Sequence, residues 1–512
     1  MMIGLAGAIA PMLPTPATAQ SGPAEPPATT PASSVGSQPA ADPGRTAGQQ
    51  VYQAAYFAQF APSTALQIVQ RVPGFTLDAG DSTVRGFAGA AGNVVINGQR
   101  PSSKSDTLDI VLARIPANRV LRVEIGRGDL YGTDYSSKSQ VLNLVLSNAG
   151  GVAGTVEVAA RREFTGKIKP EGNASALIRR GPSTFNVAAS FVNEQTTEEG
   201  IDRVTALPSG APVEFRRKVN SIAEPTLSGS LGWDYNGGAN HTAHLNGSIL
   251  HDRFALTQQN HVEPVGDTVR DDLLTQRYHY NNYEVGGDVT RPFAGGGLKL
   301  VALATWHGRD LYDASYNRVT GATIGGFTQT LHDELDERLA RLVWSRPDLG
   351  GWSVEAGAEG ALNRLDSRVD LFALGAAGAP PTRVVLPIEH AVVKELRGEA
   401  FVNAGKGVTS KLHADIGLSY EASHLTVSGD AQADRTLTFL KPKATLDWKI
   451  SPKWHGQLSI QRTVAQLQFA DFIGSAELSN GRINGSNAEL VPQRAWEVLA
   501  TIERPILGDG LV

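Results

Sequence analysis

The chain has no cysteine and only 3 methionines in 512 residues. A cysteine-free sequence suits a cytosolic protein and a disulfide-free exported one equally, so neither compartment is excluded. Also missing is any run of about 18 consecutive apolar residues, the length that a spanning helix needs. The mean hydropathy of −0.17 agrees. If the chain crosses a membrane, it must do so as a barrel, because lipid offers no partner for an open backbone N–H or C=O. There is no concentrated basic face: Lys and Arg are scattered and the net charge is −5. That argues against a nucleic-acid partner. No H-E-x-x-H, G-x-S-x-G or paired-cysteine signature is present. The expectation is no enzyme, with no catalytic residue, cofactor or metal site.

What is present is organised in four parts. Met1 to Leu13 is apolar and leads to Ala17-Thr18-Ala19 before Gln20, which resembles a signal peptide over 1–20, although a positively charged start is lacking. Residues 21–50 are rich in Pro, Ala, Ser, Thr, Gly and Gln and read as a disordered tether, unable to bury enough surface to offset its ordering entropy. From 51 to 150 short α and β elements mix. Ser63 or Thr64 caps a helix carrying Leu66, Ile68, Val69 and Val72, stopped by Pro73-Gly74. Thr83–Phe87 and Asn93–Ile96 read as strands, the latter turning at Asn97-Gly98, a pair that favours a type I′ turn. Ser105 or Asp106 opens a second helix with Leu108, Val111, Leu112 and Ile115 on one face, closed by Pro116. Val120–Ile125 and Val141–Leu146 are short strands.

Beyond about 153 the pattern is period-2 alternation. Lys411–Tyr420 sets Leu412, Ala414, Ile416, Leu418 and Tyr420 against polar or small neighbours. Thr226–Tyr235 and Lys443–Ile450 repeat the design. The runs are about ten residues long, the span of a tilted transmembrane strand. Aromatics such as Trp233, Tyr235, Trp306, Trp448 and Trp454 sit towards run ends, as in the girdles of membrane barrels. A soluble sandwich also alternates but needs no such girdles, and a propeller would repeat every 40–50 residues or so, which this chain does not. The expected faces are Leu412, Ile416, Leu418, Leu446 and Trp448 to lipid, with Lys411, Asp415, Lys443 and Asp447 to the lumen. Connections are expected to alternate between tight turns, as at Ser451-Pro452, and long outer loops, as at about 194–222.

Several motifs carry no chemistry. Gly86, Gly89 and Gly92 lack the Lys-Ser/Thr and the βαβ setting of a phosphate loop. Arg127-Gly128-Asp129 is a chance tripeptide. His241 and His244, three apart on a strand, point to opposite faces and cannot share a metal. The sequons at Asn173 and Asn246 matter only in a eukaryotic secretory setting.

Six segments in order carry a family resemblance: Arg71-Val72-Pro73-Gly74-Phe75, Val84-Arg85-Gly86, Asn93 to Pro101, Ile115-Pro116-Ala117, Val120 to Ile125 with Arg127-Gly128, and Val141 to Val145. Together they resemble the plug domain of TonB-dependent outer-membrane receptors. The resemblance covers roughly 51–150 by motif and the rest by pattern. It implies a transmembrane antiparallel β-barrel with an N-terminal α/β plug, in the bacterial outer membrane. It also implies uptake of a scarce small-molecule ligand with energy from the TonB complex, the other partner being outer-membrane lipid. The plug-motif positions are Pro73, Gly74, Arg85, Gly86, Asn97, Gly98, Arg100, Pro116, Glu124, Arg127 and Gly128. For Arg85-Gly86 and for Glu124 with Arg127 the implied roles are packing and salt-bridging to the barrel wall. Ligand-binding residues and the ligand's class stay open among iron chelate, vitamin, sugar and peptide.

Two departures stand out. Gln50–Ala54, where the family's energy-coupling box is expected, matches weakly. From 151 to 512 about 14–16 strands are expected against the family's 22, and the chain ends at Gly508-Asp509-Gly510-Leu511-Val512 without a closing aromatic. The expectation is an incomplete barrel lacking its C-terminal part. The alternatives are a passive β-barrel channel with an N-terminal hatch, or a non-functional receptor fragment. A signalling receptor would need a further folded domain, for which 21–50 is too short and polar.

Overall fold

The computed structural model describes the chain from residue 44 onward apart from short stretches, the longest being 81–91. The expected signal peptide, most of the tether and the Thr83–Phe87 strand lie outside the described residues. Strand pairing begins within the last residues expected as tether: β1 (Gly44–Thr46) pairs antiparallel with β2 (Gln49–Gln53).

The N-terminal unit has a five-stranded sheet in the order β1-β2-β4-β5-β3, with β3 Val94–Ile96, β4 Val120–Gly126 and β5 Val141–Leu146. β3 runs parallel to β5, and the other pairs are antiparallel. Helices α1 (Ala54–Phe57), α2 (Ala65–Val69) and α3 (Leu108–Ala113) supply apolar residues to its core. Thr64 caps α2, its hydroxyl accepting from Gln67 N–H at 3.4 Å. The second helix starts later than expected, with Thr107 as its N-cap. Phe57, Ile68, Val69, Leu112, Val123, Leu142 and Leu144 are buried together, so the unit has a hydrophobic core of its own.

The rest is an antiparallel meander. β6 (Gly151–Arg162), β7 (Ile168–Arg180), β8 (Ser183–Thr205), β9 (Pro212–Asn236) and β10 (Thr242–Pro264) come first. β11 (Arg270–Phe293), β12 (Gly296–Val319), β13 (Ala322–Arg346) and β14 (Ser353–Leu374) follow. A short β15 (Thr382–Val384) flanks β14, and β16 (His390–Gly407), β17 (Leu412–Gly429), β18 (Ala433–Ser451) and β19 (Trp454–Val464) continue. After a small hairpin, β20 (Ser475–Glu477) and β21 (Arg482–Asn484), β22 (Arg494–Glu503) pairs with β19. Each main strand pairs with the next one along the chain from β6 to β22, and among the described residues no pairing joins those two ends. The open sheet is the one expected.

The strands are longer than the sequence pattern implies. β9 and β13 have 25 residues each. At about 3.3 Å per residue that is roughly 80 Å, far more than a bilayer core of about 30 Å. The stretch near 194–222, expected as a long loop, is the paired arms of the β8–β9 hairpin, joined by 206–211 alone. These arms carry polar residues on both faces, so they lack the alternation that marks a strand in a membrane.

Side-chain direction explains the difference. On β14 the outward positions Val354, Ala356, Ala358, Gly360 and Leu362 give way to Arg364, Asp366, Arg368 and Asp370, while the inward ones change from Glu355, Glu359 and Asn363 to Leu365, Val369 and Leu371. On β17 Ile416, Leu418 and Tyr420 face out, followed by His424, Thr426 and Ser428, and the inward positions become Leu425 and Val427. Apolar-out with polar-in is a wall between lipid and an aqueous lumen, and the reverse is a wall standing in water. Exposed aromatics mark the edges of the apolar band: Trp352, Trp448 and Trp454 near one end, Tyr283, Trp306 and Tyr420 near the other. Ile416, Leu418, Leu446 and Trp448 are exposed and Asp447 is buried on the inner face, as expected. Leu412 is only half-buried, and Lys411 sits exposed in the turn before β17, not on the lumen wall.

Candidate functional site: the plug against the inner wall

The N-terminal unit meets the sheet through polar groups. Ser103 and Lys104 precede α3 and reach carboxylates on the inner face of β11 and β13. Ser103 Oγ donates to Glu284 at 2.8 Å, and the Lys104 backbone N–H donates to both its oxygens at 3.1 and 3.2 Å. The Lys104 ammonium pairs with Glu337, with both side chains under a tenth exposed. Register explains how one loop tip reaches two strands: Glu284 faces Thr305 on β12, and Thr305 faces Glu337 on β13, so the three form one row. Asn246 on β10 steadies Glu284 with a further hydrogen bond of 2.8 Å.

The plug-motif residues mostly build the plug itself. Asn97 and Gly98 both have positive φ, 51° and 76°, as a type I′ turn requires. The turn is docked on β5: Asn97 N–H donates to Leu144 O at 2.9 Å, and its side-chain oxygen accepts from Leu146 N–H at 2.9 Å. Gly98 N–H donates to Asn143 Oδ1 at 2.8 Å, and Asn143 Nδ2 donates to Glu124 at 2.8 Å. Glu124 in turn pairs with Arg122 at 2.7 Å. Among the described residues, the partners of Glu124, Arg122 and Asn143, lie on its own sheet within the plug. Pro73 and Gly74 (φ 70°) form the turn after α2, and buried Pro116 bridges to Thr64. Arg100 follows the hairpin turn half-buried, and Gly128 leaves no room for a side chain, since a Cβ would lie 1.7 Å from Tyr135 O. Arg85, Gly86 and Arg127 lie outside the described residues.

Asn143 links turn and sheet, so Asn143→Leu is expected to destabilise the plug by about 1–3 kcal/mol, the cost of a buried polar group left without its partner. Hydrogen exchange at the Gly98 amide checks this, and unchanged protection would refute it. Elsewhere in the plug, burial pushes the Asp78 carboxyl up, but the Lys138 ammonium at 2.5 Å and the Gly80 N–H outweigh it, leaving its pKa below the ordinary value. A depressed carboxylate pKa contributes stability above the unfolded value, and this is lost as pH falls through the folded one.

Beyond this contact, away from the short turns, the inner wall is aromatic and charged. Phe254 and Tyr278 stack at 4.7 Å, and Tyr278 donates to Glu224 at 3.2 Å. Tyr280 and His307 are 3.0 Å apart, and Arg309 pairs with Asp333 at 2.6 Å. At plug level the wall neutralises itself: Glu359 lies between Arg341 and Arg397, and Lys441 between Glu399 and Glu421. His244 pairs with Asp288 at 2.9 Å.

An α/β unit with its own core is pinned to the polar inner wall of a lipid-banded strand meander. This is the arrangement that the sequence resemblance implies, an α/β unit against an antiparallel sheet. No protein-family model and no curated protein matches the chain. Among solved structures it is similar to the alcaligin outer-membrane receptor of Bordetella pertussis, at 14% identity over 92% of this chain and 69% of that one, with a TM-score of 0.38. It is similar to a siderophore receptor of Acinetobacter baumannii, at 12% identity over 90% and 70%, TM-score 0.44. It is also similar to a copper transporter, at 9% identity over 89% and 68%, TM-score 0.46. Likeness at this distance carries nothing about ligand. The residue that the sequence reading missed is Lys104. Its partners are 180 and 233 positions away, so no local signal marks it.

Proposed function

We propose that the chain takes up a scarce small-molecule ligand across the outer membrane with energy from the periplasmic TonB complex. The carrying observation is how the plug is held: its apolar core is internal, and its wall contact at Ser103-Lys104 is polar. Such a unit can shift when pulled without exposing its own core. The aromatic and charged wall around Phe254, Tyr278, Tyr280 and Arg309 is the surface we assign to ligand. Gln50–Ala54 is an unsuitable coupling segment, because Val51 and Tyr52 are buried in the plug sheet. We place the coupling segment before Gln49.

The test is accumulation of labelled ferric chelates, cobalamin, oligosaccharides and peptides by cells expressing the chain. One class should accumulate against its gradient and fall to background when the proton-motive force is collapsed or TonB is deleted. Flux that equilibrates and ignores both treatments would overturn the proposal and establish the passive hatch channel.

A further inference from the structure

β8 has two neighbours over its lower part and one over its upper part. β9 pairs with it along its whole length, from Ser183 to Thr205. β7 pairs with it only from Ser183 to Phe191, where Gly172 is the last partner. Phe191 also ends the apolar band on the outward face, which continues as Asn193, Gln195, Thr197 and Glu199. The second ladder therefore covers β8 where lipid forbids an open N–H, and stops where water begins. Above that point β8 is an edge strand, although it is not an end of the sheet, because β7 and β6 continue the meander below. Asn236 N–H donates to Pro182 O, so with the register of this pair the even-numbered residues of β8 turn their backbone groups to β9. The odd-numbered ones turn theirs to the other side. Asn193, Gln195, Thr197, Glu199, Ile201 and Arg203 present a row of N–H and C=O groups roughly 35 Å long, with no strand beside it among the described residues.

The side chains along this edge carry charge of mostly one sign. Glu198 and Glu199 are exposed and Glu194 is half-buried, and among the described residues none of the three has an ion-pair partner. Asp202 is paired with Lys218. In the notch where β7 leaves β8, Glu171 keeps one carboxylate oxygen buried without a partner. Like charge on an edge opposes pairing with a second copy of itself, since glutamates would then face glutamates. The same charge favours a strand that carries Lys or Arg. We propose that the open edge of β8 binds an extended, basic segment of a partner protein outside the cell as an added strand. Main-chain hydrogen bonds to the odd-numbered residues set its register, and Glu194, Glu198 and Glu199 set its charge preference. The proposal rests on the lipid-facing reading of the band and is independent of the transported ligand.

The test uses the full chain folded in detergent and a labelled peptide that alternates Lys with Thr, read by anisotropy and by residue-resolved hydrogen exchange. Exchange should slow at least ten-fold at Gln195, Thr197 and Glu199 and stay unchanged at Thr196 and Glu198, whose amides already face β9. A fully N-methylated form of the peptide keeps its charge but cannot donate, and should bind at least ten-fold more weakly. A peptide with Glu in place of Lys should do the same. Thr197→Pro removes one open N–H without touching the β9 ladder, as proline does where an edge N–H faces water, and should weaken binding as well. Equal binding of the N-methylated peptide by the unaltered chain, or slowed exchange at none of the odd-numbered residues, overturns the proposal and leaves only attraction between charges. Self-association of the unaltered chain that Thr197→Pro abolishes would make a second copy the occupant and overturn the basic partner. Absence of any binding overturns the proposal too, and leaves the uptake reading untouched.

Discussion

Replacing Ile416 with Arg is expected to cost the folded chain on the order of 2–4 kcal/mol in a bilayer, the penalty for a cation on the lipid face near the midplane. Ile416 is 56% exposed and points outward from the middle of the β17 band. Its neighbours in register are Ala404 on β16 and Ala444 on β18, too small to shelter a guanidinium. Ten residues further along the same strand and face, Thr426→Arg should cost close to nothing, because there the outer surface is already polar. The measurement is urea-dependent folding into lipid vesicles for the two variants beside the unaltered chain. Equal costs would mean that the change from apolar to polar outward residues does not mark a membrane boundary.

The same change of polarity determines how much of the fold was legible in the sequence. Where lipid lies on one side and the lumen on the other, alternation is strict, and runs such as 226–235 and 412–420 identify strands, with the outward face correct from Ile416 to Tyr420. Where both sides are wet, outward Gln195, Thr197 and Glu199 alternate with inward Glu194, Thr196 and Glu198, and periodicity vanishes although the backbone ladder continues. The arms of the β8–β9 hairpin therefore read as a loop. In the plug, local rules served well: Thr64 caps its helix, Asn97-Gly98 turns, and Pro73-Gly74 lies in the turn after the helix, which itself ends earlier, at Val69. What failed was pairing between distant segments. Nothing adjacent to Glu124 marks Asn143, 19 positions away, as a partner. Lys104 looks like one more solvated lysine in a Ser-rich stretch. Burial against Glu284 and Glu337 is a property of the assembled sheet, and the sequence around position 104 contains no trace of it.

Lys104 therefore carries the prediction that bears most directly on transport. Lys104→Met keeps the stem of the side chain and removes its charge, leaving Glu337 without the ammonium in a buried setting. Removing one member of a buried ion pair costs roughly 3–5 kcal/mol, more than the pair itself contributes, because the remaining charge stays desolvated. The backbone N–H to Glu284 survives the substitution, so the lower figure of about 3 kcal/mol applies here. Opening of the plug tip from the wall should then become about 100-fold more frequent, at 1.4 kcal/mol per factor of ten. Hydrogen exchange at the Lys104 position reads it, since that amide is protected only while it donates to Glu284. Adding Glu337→Gln removes the charge that the ammonium balanced and should restore much of the protection. That recovery separates a charge effect from loss of packing. Unchanged exchange in the single variant would show that Ser103 and the backbone alone hold the plug, and a double variant no better than the single one would show that the charge on Glu337 is not what loosens it.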